Sequence, residues 1–381
     1  MKLFEVYPLF DIEPVRGEGC HVWDKEGRKY LDLYGGHAVI SIGHSHPHYI
    51  NRIQQQLGEL GFYSNSVRNG LQEELARKLG QMSGCEDYQL FLVNSGAEAV
   101  ENALKLASFH TGKSRIGAFF GSFHGRTSAA VEVTCNPKIS APLNRNGHVS
   151  WLGLNDLAGV EQTLASGEFA AIIIEGIQGV GGIYVPDPEF LVGLKEICKR
   201  HGALLILDEV QSGFGRSGEF FAFQHADVVP DIITMAKGMG NGFPVGGILI
   251  HPDIQPKYGM LGTTFGGNHL ACAAVLAVLE VIEEEKLIEN ARAIGQVLKG
   301  ELVALLGEEP IRGHGLMVGV SLPVPAKPIR KALLFEEGIF TGSAAQPNVL
   351  RLLPPLGISK EEVGAFMQAL SRVLAHEGSN S

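Results

Sequence analysis

Residues 203–247 constrain the chain most: they read ALLILDEVQSGFGRSG, a linking segment, then DIITMAKGMGNGFPVGG. Two short apolar runs bounded by turn residues, 204–207 and 232–235, have the length and continuity of strands buried on both faces of a parallel sheet. Each delivers a charged residue at its C-terminal end, Asp208 and Lys237. In such sheets ligands sit in the crevice beyond the carboxyl ends of the strands. A carboxylate and an amine behind dry strands are costly unless something pairs with them, and a structural Asp–Lys ion pair is one account of both. The flanking residues point further. Gly238, Gly240 and Gly242 strip side chains from around the amine, and a desolvated lysine in a tight site is suited to Schiff-base chemistry. A carboxylate opposite it can keep a pyridinium nitrogen protonated, the condition under which pyridoxal phosphate (PLP) acts as an electron sink.

The strings DEVQSGFGRSG and MAKGMGNGFPVGG resemble the signature of the class III (omega) aminotransferases, and the likeness extends over nearly the whole chain. That resemblance implies an α/β PLP-dependent transferase of the aspartate aminotransferase type (fold type I). A mostly parallel central sheet forms the large domain, and a small α+β domain accompanies it. It also implies a homodimer with active sites at the interface. A competing motif lies in the same stretch: Gly213, Gly215 and Gly218 form G-x-G-x-x-G after a strand, the nominal dinucleotide fingerprint. Its context fails, because Asp208, Glu209 and Gln211 intervene and the following EFFAFQHA lacks the start of an amphipathic crossover helix.

Length and charge narrow the class. At about 100–200 residues per domain, 381 residues suggest two or so. The expected division is 1–50 as an N-terminal arm and part of the small domain, 51–274 as the large PLP-binding domain, and 275–381 as the C-terminal small domain. Hydrophobic content of 45% with 19% charged residues describes a well-buried soluble protein. No apolar run approaches the ~20 residues of a membrane span, and MKLFEVYPLF carries no signal-peptide pattern. A net charge of -10 argues against a nucleic-acid partner. Glycine, at 49 of 381 residues, is well above the usual share of about 7%, which points to many tight βα turns. The five cysteines, Cys20, Cys85, Cys135, Cys198 and Cys272, are scattered without C-x-x-C spacing, as reduced thiols of a cytoplasm would be. His44, His46 and His48 alternate in GHSHPH, yet Pro47 constrains the backbone and no cysteine or carboxylate cluster is nearby. A polar turn ahead of a helix is the better reading, and no metal is expected.

Taken in order, GCHVWDKEGRKYLDLYG reads as a β-hairpin around residues 24–27 of the small domain. Helical patterns follow at 49–60 and 72–82. In QLFLVNSGAEAVENALKLASFHTG a strand, 90–93, breaks at Asn94-Ser95-Gly96 into a helix with Val100, Ala103, Leu104 and Ala107 on one face. A small-residue turn at a helix N-terminus offers backbone N–H groups to an anion, and by resemblance Ser95, Gly96 and Ala97 take the PLP phosphate. After a strand at 116–120 comes GSFHGRT. Phe123 matches the family's aromatic that stacks on the pyridine ring, and Arg126 the arginine that receives a substrate carboxylate, a task its planar fork suits.

The strand 171–174 ends in EGIQGVGGIYVPD, where the chain departs from the family's EPIQGEGG: Gly176 stands for the proline and Val180 for the second glutamate. In the family that glutamate pairs with the arginine matching Arg351 and switches it between substrates with and without an alpha carboxylate. With Val180 in place, Arg351 stays available as a cation, and discrimination rests on fixed pocket shape. A helix, 190–201, then leads into the central stretch. There the resemblance places Asp208 at the pyridine nitrogen, Gln211 near the ring hydroxyl, and Lys237 as the Schiff-base lysine. Beyond lies GTTFGGNHLACAAVLAVLEVIEEEKL, a turn followed by a long helix expected to run through Ile288 and beyond. Thr264 matches the hydroxyl that reaches across a dimer interface to the neighbour's PLP phosphate, and Thr263 is assigned to the substrate. His269 replaces a proline usual in relatives. From about 275 onward GLMVGVSL, KALLFEEGIF, NVLRLLPPLGIS and a terminal helix at 360–375 alternate in the manner of an α+β domain. Tyr7, and His37 in GGHAV, fall by the same resemblance among the substrate-lining positions.

The activity implied is ping-pong transamination, with Lys237 moving a proton and Asp208 keeping the ring electron-poor. The expected donor is an N-acylornithine, acetyl or succinyl, reacting at its terminal amine while Arg126 holds its carboxylate. The acceptor is 2-oxoglutarate, and the products are the acylglutamate semialdehyde and glutamate of arginine synthesis. The alternative is an aminotransferase acting on free ornithine or another omega-amino acid such as 4-aminobutyrate. An aminomutase or lyase of the same fold stands behind these. From a different class, a PLP-binding module would hold the cofactor without converting it.

Overall fold

The structure, a computed structural model, describes residues 1–378. At its centre is a seven-stranded sheet in the order Gln89–Val93, Gly246–Ile250, Ile232–Met235, Leu204–Asp208, Phe169–Glu175, Arg115–Phe119, Val149–Leu152. Gly246–Ile250 runs antiparallel to both of its neighbours, and the other adjacent pairs are parallel. Every residue of FAAIIIE, LLILD and IITM is buried, so these strands carry no polar face and need cover on both sides. Successive side chains serve opposite cores. Ile173 and Ile206 pack with Ala99, Val100 and Ala103 of the helix Gly96–Thr111. Ile172, Ile174, Leu205 and Leu207 join Leu194 and Ile197 of the helix Pro188–His201 and one face of the helix His269–Glu284, Cys272, Val275, Leu276 and Leu279 among it.

The register brings several strand ends to one edge. Glu175 pairs with Asp208, Asp208 with Thr234, Met235 with Gly247, and Val93 with Gly246. A Cβ on Gly246 would lie 2.6 Å from the Ser95 carbonyl and 2.9 Å from that of Met235, so this crowded corner admits glycine alone. Two four-stranded sheets flank the centre. In one, Pro14–Glu18, His21–Asp24 and Lys29–Asp32 are completed by Ile339–Phe340, which pairs parallel to Lys29–Asp32. The other orders Ile311–His314, Met317–Ser321, Val349–Leu352 and Gly342–Ser343.

The long helix expected through Ile288 is broken: one helix ends at Glu284, the next spans Leu287–Leu306, and Lys286 turns the chain with φ 53°. The run Glu283-Glu284-Glu285 sets like charges at the negative end of a helix, which disfavours its continuation. The histidines of GHSHPH pair individually with carboxylates: His44 with Asp32, His46 with Glu285 and His48 with Glu280, at 2.8, 2.9 and 2.5 Å. Residues 213–218 lead into a short 3-10 turn, Ala222–His225, rather than a crossover helix. Among the described residues no helix is long and apolar enough to cross a membrane.

Arg216 ties these parts together. Only 2% exposed, it donates to the carbonyls of Leu316 (3.3 Å), Ile40 (3.4 Å) and Pro354, three segments distant in sequence. Replacing it by methionine preserves length while leaving those carbonyls without their donor. Arg216→Met is expected to lower stability by roughly 3 kcal/mol, measured as a shift of the chemical-denaturation midpoint relative to the parent.

Candidate active site

A cavity of about 390 Å³ opens at the edge where the strand ends meet, lined by Ser95, Gly96, Ala97, Phe123, Arg126, Asp208, Gln211 and Lys237 among others. Eight of the residues expected at a site are thus brought together by one sheet edge. Asp208 is the last residue of its strand, and Lys237 follows Ile232–Met235 by two residues. Lys237 itself adopts φ 48° at the start of a 3-10 turn, Lys237–Met239. A non-glycine residue in that region costs free energy and persists where the surroundings over-determine it.

Asp208 is buried and doubly held: Oδ2 lies 2.6 Å from His124 Nδ1, and Oδ1 accepts from the Val210 N–H at 3.0 Å. The other ring nitrogen of His124 is buried without a partner among the described residues. Glu175, in register with Asp208, accepts from the Phe123 and Gly179 N–H groups, both at 2.9 Å. Burial pushes the Glu175 carboxyl up, an effect to which Asp208 adds and which His124 opposes. Burial also pulls the Lys237 amine down; Asp208 and Glu175 counteract this, while the Arg351 cation reinforces it. The surface that Lys237 retains faces the cavity. His124 and Glu175 were not singled out from the sequence. Glu175 had a signal, since it ends a buried apolar strand just as Asp208 does, whereas His124 is identified only by its contact.

The turn before the helix Gly96–Thr111 forms a cradle. Ser95 caps the helix, its hydroxyl accepting from the Glu98 N–H at 3.2 Å and its carbonyl from the Ala99 N–H at 3.0 Å. The N–H groups of Gly96 and Ala97 belong to the first turn, where no intrahelical acceptor exists. A Cβ at Gly96 would strike Val210 Cγ1 at 2.7 Å, so the wall beside them stays bare. Phe123 also lines the cavity, and the Arg126 guanidinium stands 6.0 Å from its ring centroid.

Other expected residues lie elsewhere. Arg351 is just outside the cavity wall, 2% exposed, donating to the Ser343 carbonyl at 2.5 Å and to Gln211 Oε1 at 3.3 Å. His37 takes the Tyr34 hydroxyl on Nδ1 and gives its carbonyl to Gln211 Nε2 at 3.1 Å. Tyr7 is 70% exposed in the N-terminal segment. Thr263 lies in a separate depression with Asn65, Gln72 and Gly266, and Thr264 is exposed beside Phe265. Within one chain these three do not reach the Lys237 cavity.

An anion cradle, an aromatic wall, a buried carboxylate and an enclosed amine are the donor set that PLP requires, and the bare wall at Gly96 leaves room for its phosphate. Residues 5–374 match the family Aminotransferase class-III, and the chain belongs to that family of PLP-dependent enzymes. It is 42% identical to an acetylornithine aminotransferase of Archaeoglobus fulgidus, over 97% of each chain. It is 40% identical to one of Bacillus subtilis, over 98% of each. Among solved structures, the ornithine aminotransferase of Toxoplasma gondii superposes with a TM-score of 0.91 at 30% identity, covering 99% of this chain and 93% of that one. The acetylornithine aminotransferase of Elizabethkingia anophelis gives 0.86 at 33%, covering 98% and 96%.

The electrostatics are testable without cofactor. In protein stripped of PLP, the pH profile for acylation of Lys237, followed by mass spectrometry, is expected to have its midpoint below the ordinary 10.5. Asp208→Asn should lower that midpoint further, since it removes a charge that favours the ammonium, and Arg351→Met should raise it.

Proposed function

We propose that this aminotransferase moves the terminal amino group of an N-acylornithine to 2-oxoglutarate, giving the acylglutamate semialdehyde and glutamate, as arginine synthesis requires. The observation that carries the acceptor half is Arg351: a buried guanidinium bonded to the neutral oxygens of Ser343 and Gln211. Val180, which lines the cavity, supplies no charge to neutralise it. A cation so placed suits the carboxylate next to the reacting carbon of 2-oxoglutarate. The donor half is supported by the acetylornithine aminotransferases at 42% and 40% identity and by the exposed Arg126 at the cavity. Free ornithine and other omega-amino acids are less favoured, the ornithine aminotransferase match standing at 30%.

The residues divide the work as follows. The Gly96 and Ala97 N–H groups, with Ser95, would hold the PLP phosphate, and Phe123 would face the ring. Asp208, oriented by His124 and the Val210 N–H, would meet the ring nitrogen, and Gln211 would serve the ring hydroxyl. When bound, PLP supplies an aldehyde carbon that accepts an amino group and a ring that draws electrons from the adjoining carbon. Lys237 Nζ, which burial biases toward the neutral amine, would take the proton from the substrate carbon that bears nitrogen and deliver it to the adjoining cofactor carbon, and the reverse in the second half-reaction. Arg126 holds the far carboxylate of either substrate, and Arg351 the near one of 2-oxoglutarate.

A homodimer completes the site. Phe265 beside Thr264 is 60% exposed and meets the exposed Phe62 at 5.5 Å between ring centroids. Leu3, Phe4 and Leu9 around Tyr7 are exposed as well. Apolar surface of this kind marks an interface, and a second copy would bring Thr264 and Tyr7 to the other's cavity. The proposed domain division, 1–50, 51–274 and 275–381, is supported by sheet membership, all seven central strands falling between residues 89 and 250. The five cysteines are free, which supports a reducing cytoplasm.

Purified PLP-loaded protein mixed separately with N-acetylornithine, N-succinylornithine, ornithine and 4-aminobutyrate should lose its cofactor absorbance fastest with one acylornithine; fastest loss with an unacylated amine would reverse the donor assignment. Lys237→Ala should abolish turnover. Val180→Glu should raise KM for 2-oxoglutarate by about tenfold, by placing a carboxylate in competition for Arg351, and an unchanged ratio of glutamate to acylornithine turnover in that variant would show that Val180 sets no specificity.

A further inference from the structure

Arg351 is not the only guanidinium of its kind behind the cavity. Arg330, on the helix Ala326–Phe335, donates from Nε and Nη2 to the Thr341 carbonyl at 3.2 and 3.0 Å. Arg351 donates to the carbonyl of Ser343, two residues along the same extended segment. Carbonyls so spaced lie roughly 7 Å apart. Between them Gly342 pairs with Arg351 across the sheet, and its missing side chain makes room for Tyr34: a Cβ there would lie 2.6 Å from Tyr34 Cε2. The Tyr34 ring therefore sits over Gly342 within reach of the charges of both Arg351 and Arg330, and its hydroxyl bonds His37. Among the described residues neither arginine has a carboxylate partner.

The surroundings fix this group firmly. Gly35, Gly36, His37 and Ala38 form a left-handed turn with φ of 54°, 54°, 69° and 64°. For residues with a Cβ that conformation costs about 1–2 kcal/mol each. It is held by the Ala38 N–H on the Tyr34 carbonyl (2.9 Å) and the Val39 N–H on that of Gly35 (2.8 Å). Gln211 closes the circuit, donating to the His37 carbonyl while accepting from Arg351, and Gln211 lines the cavity. Two cations set close together with neutral partners only are costly unless an anion joins them.

We propose that Arg330 is the second cation of a two-guanidinium carboxylate site, acting through Tyr34 and by its charge on the carboxylate that Arg351 takes from 2-oxoglutarate or glutamate. This rests on the acceptor assigned above. Arg330 is a positioning residue, one layer behind Arg351. Its charge adds to a site that Val180 leaves without an internal carboxylate, while the Ser343 carbonyl and Gln211 keep the Arg351 guanidinium in place. His37 reports the local field, because burial together with Arg351, Lys237 and Arg330 pushes its imidazole down to about 4.

The test uses PLP-loaded enzyme and follows exchange between glutamate and labelled 2-oxoglutarate, with the acylornithine half-reaction measured separately. Arg330→Gln keeps an amide donor toward Thr341 but removes the charge. It should raise KM for glutamate and 2-oxoglutarate about tenfold with kcat within about threefold, and leave the half-reaction with an acylornithine unchanged. By NMR the His37 titration midpoint should move up in Arg330→Gln, and also when 2-oxoglutarate binds the parent. Arg330→Lys, which keeps the charge, should retain most of the affinity and the low midpoint. Unchanged KM values with an unmoved His37 midpoint would overturn the proposal, even alongside a lower melting temperature, and would leave Arg330 a structural tie to Thr341. Should no acylornithine react while Arg330→Gln still weakens glutamate, the donor assignment fails and this site stands.

Discussion

The site depends on a buried carboxylate held in one place. Asp208 ends an all-apolar strand and is grasped from one side by His124 and from the other by the Val210 N–H. Neither partner is optional, since a carboxylate behind such a strand with free lone pairs is expensive. Glu175, its neighbour in register, is spent on the backbone: by accepting from Phe123 and Gly179 it fixes the loops that follow two different strands. The aromatic wall, the carboxylate and the amine thus share one rigid frame, which is the condition for positioning chemistry rather than flexibility.

Around that frame, a second set of residues comes from outside the central sheet. Tyr34 and His37 arrive from the N-terminal sheet and Arg351 from a C-terminal one, and Gln211 bonds both groups. Arg216 repeats the pattern one layer deeper, bonding Ile40, Leu316 and Pro354. On the proposed function, chemistry is seated on the sheet edge, while the acceptor is met by segments that join there through backbone carbonyls.

What the sequence revealed follows the same division. The runs at 204–207 and 232–235 were readable because buried parallel strands are continuously apolar, and Asp208 and Lys237 stood out because charge there needs a reason. Ser95–Gly96 and Phe123–Arg126 were readable as strand-to-helix and strand-to-loop junctions, though their roles came from family likeness. The break at Lys286 was hidden because apolar periodicity persists across it, with Ile282 and Leu287 both buried. His124, Tyr34 and Arg330 were hidden for a different reason. His124 meets Asp208 from another strand's loop, Tyr34 packs on Gly342 far along the chain, and Arg330 bonds a backbone carbonyl, and no local pattern records such meetings. Tyr7 and Thr264 lie away from the Lys237 cavity within one chain, and their assignment came from family likeness alone.

The parallel pairing of Lys29–Asp32 with Ile339–Phe340 bears on how the protein is made. During synthesis the first of these strands emerges early and has no edge partner until nearly the whole chain has left the ribosome, so the sheet that carries Tyr34 and His37 is among the last parts to close. The catalytic edge, confined to residues 89–250, is translated well before. A nascent chain therefore carries every strand of the Lys237 edge before Ile339–Phe340 and Arg351 have been made.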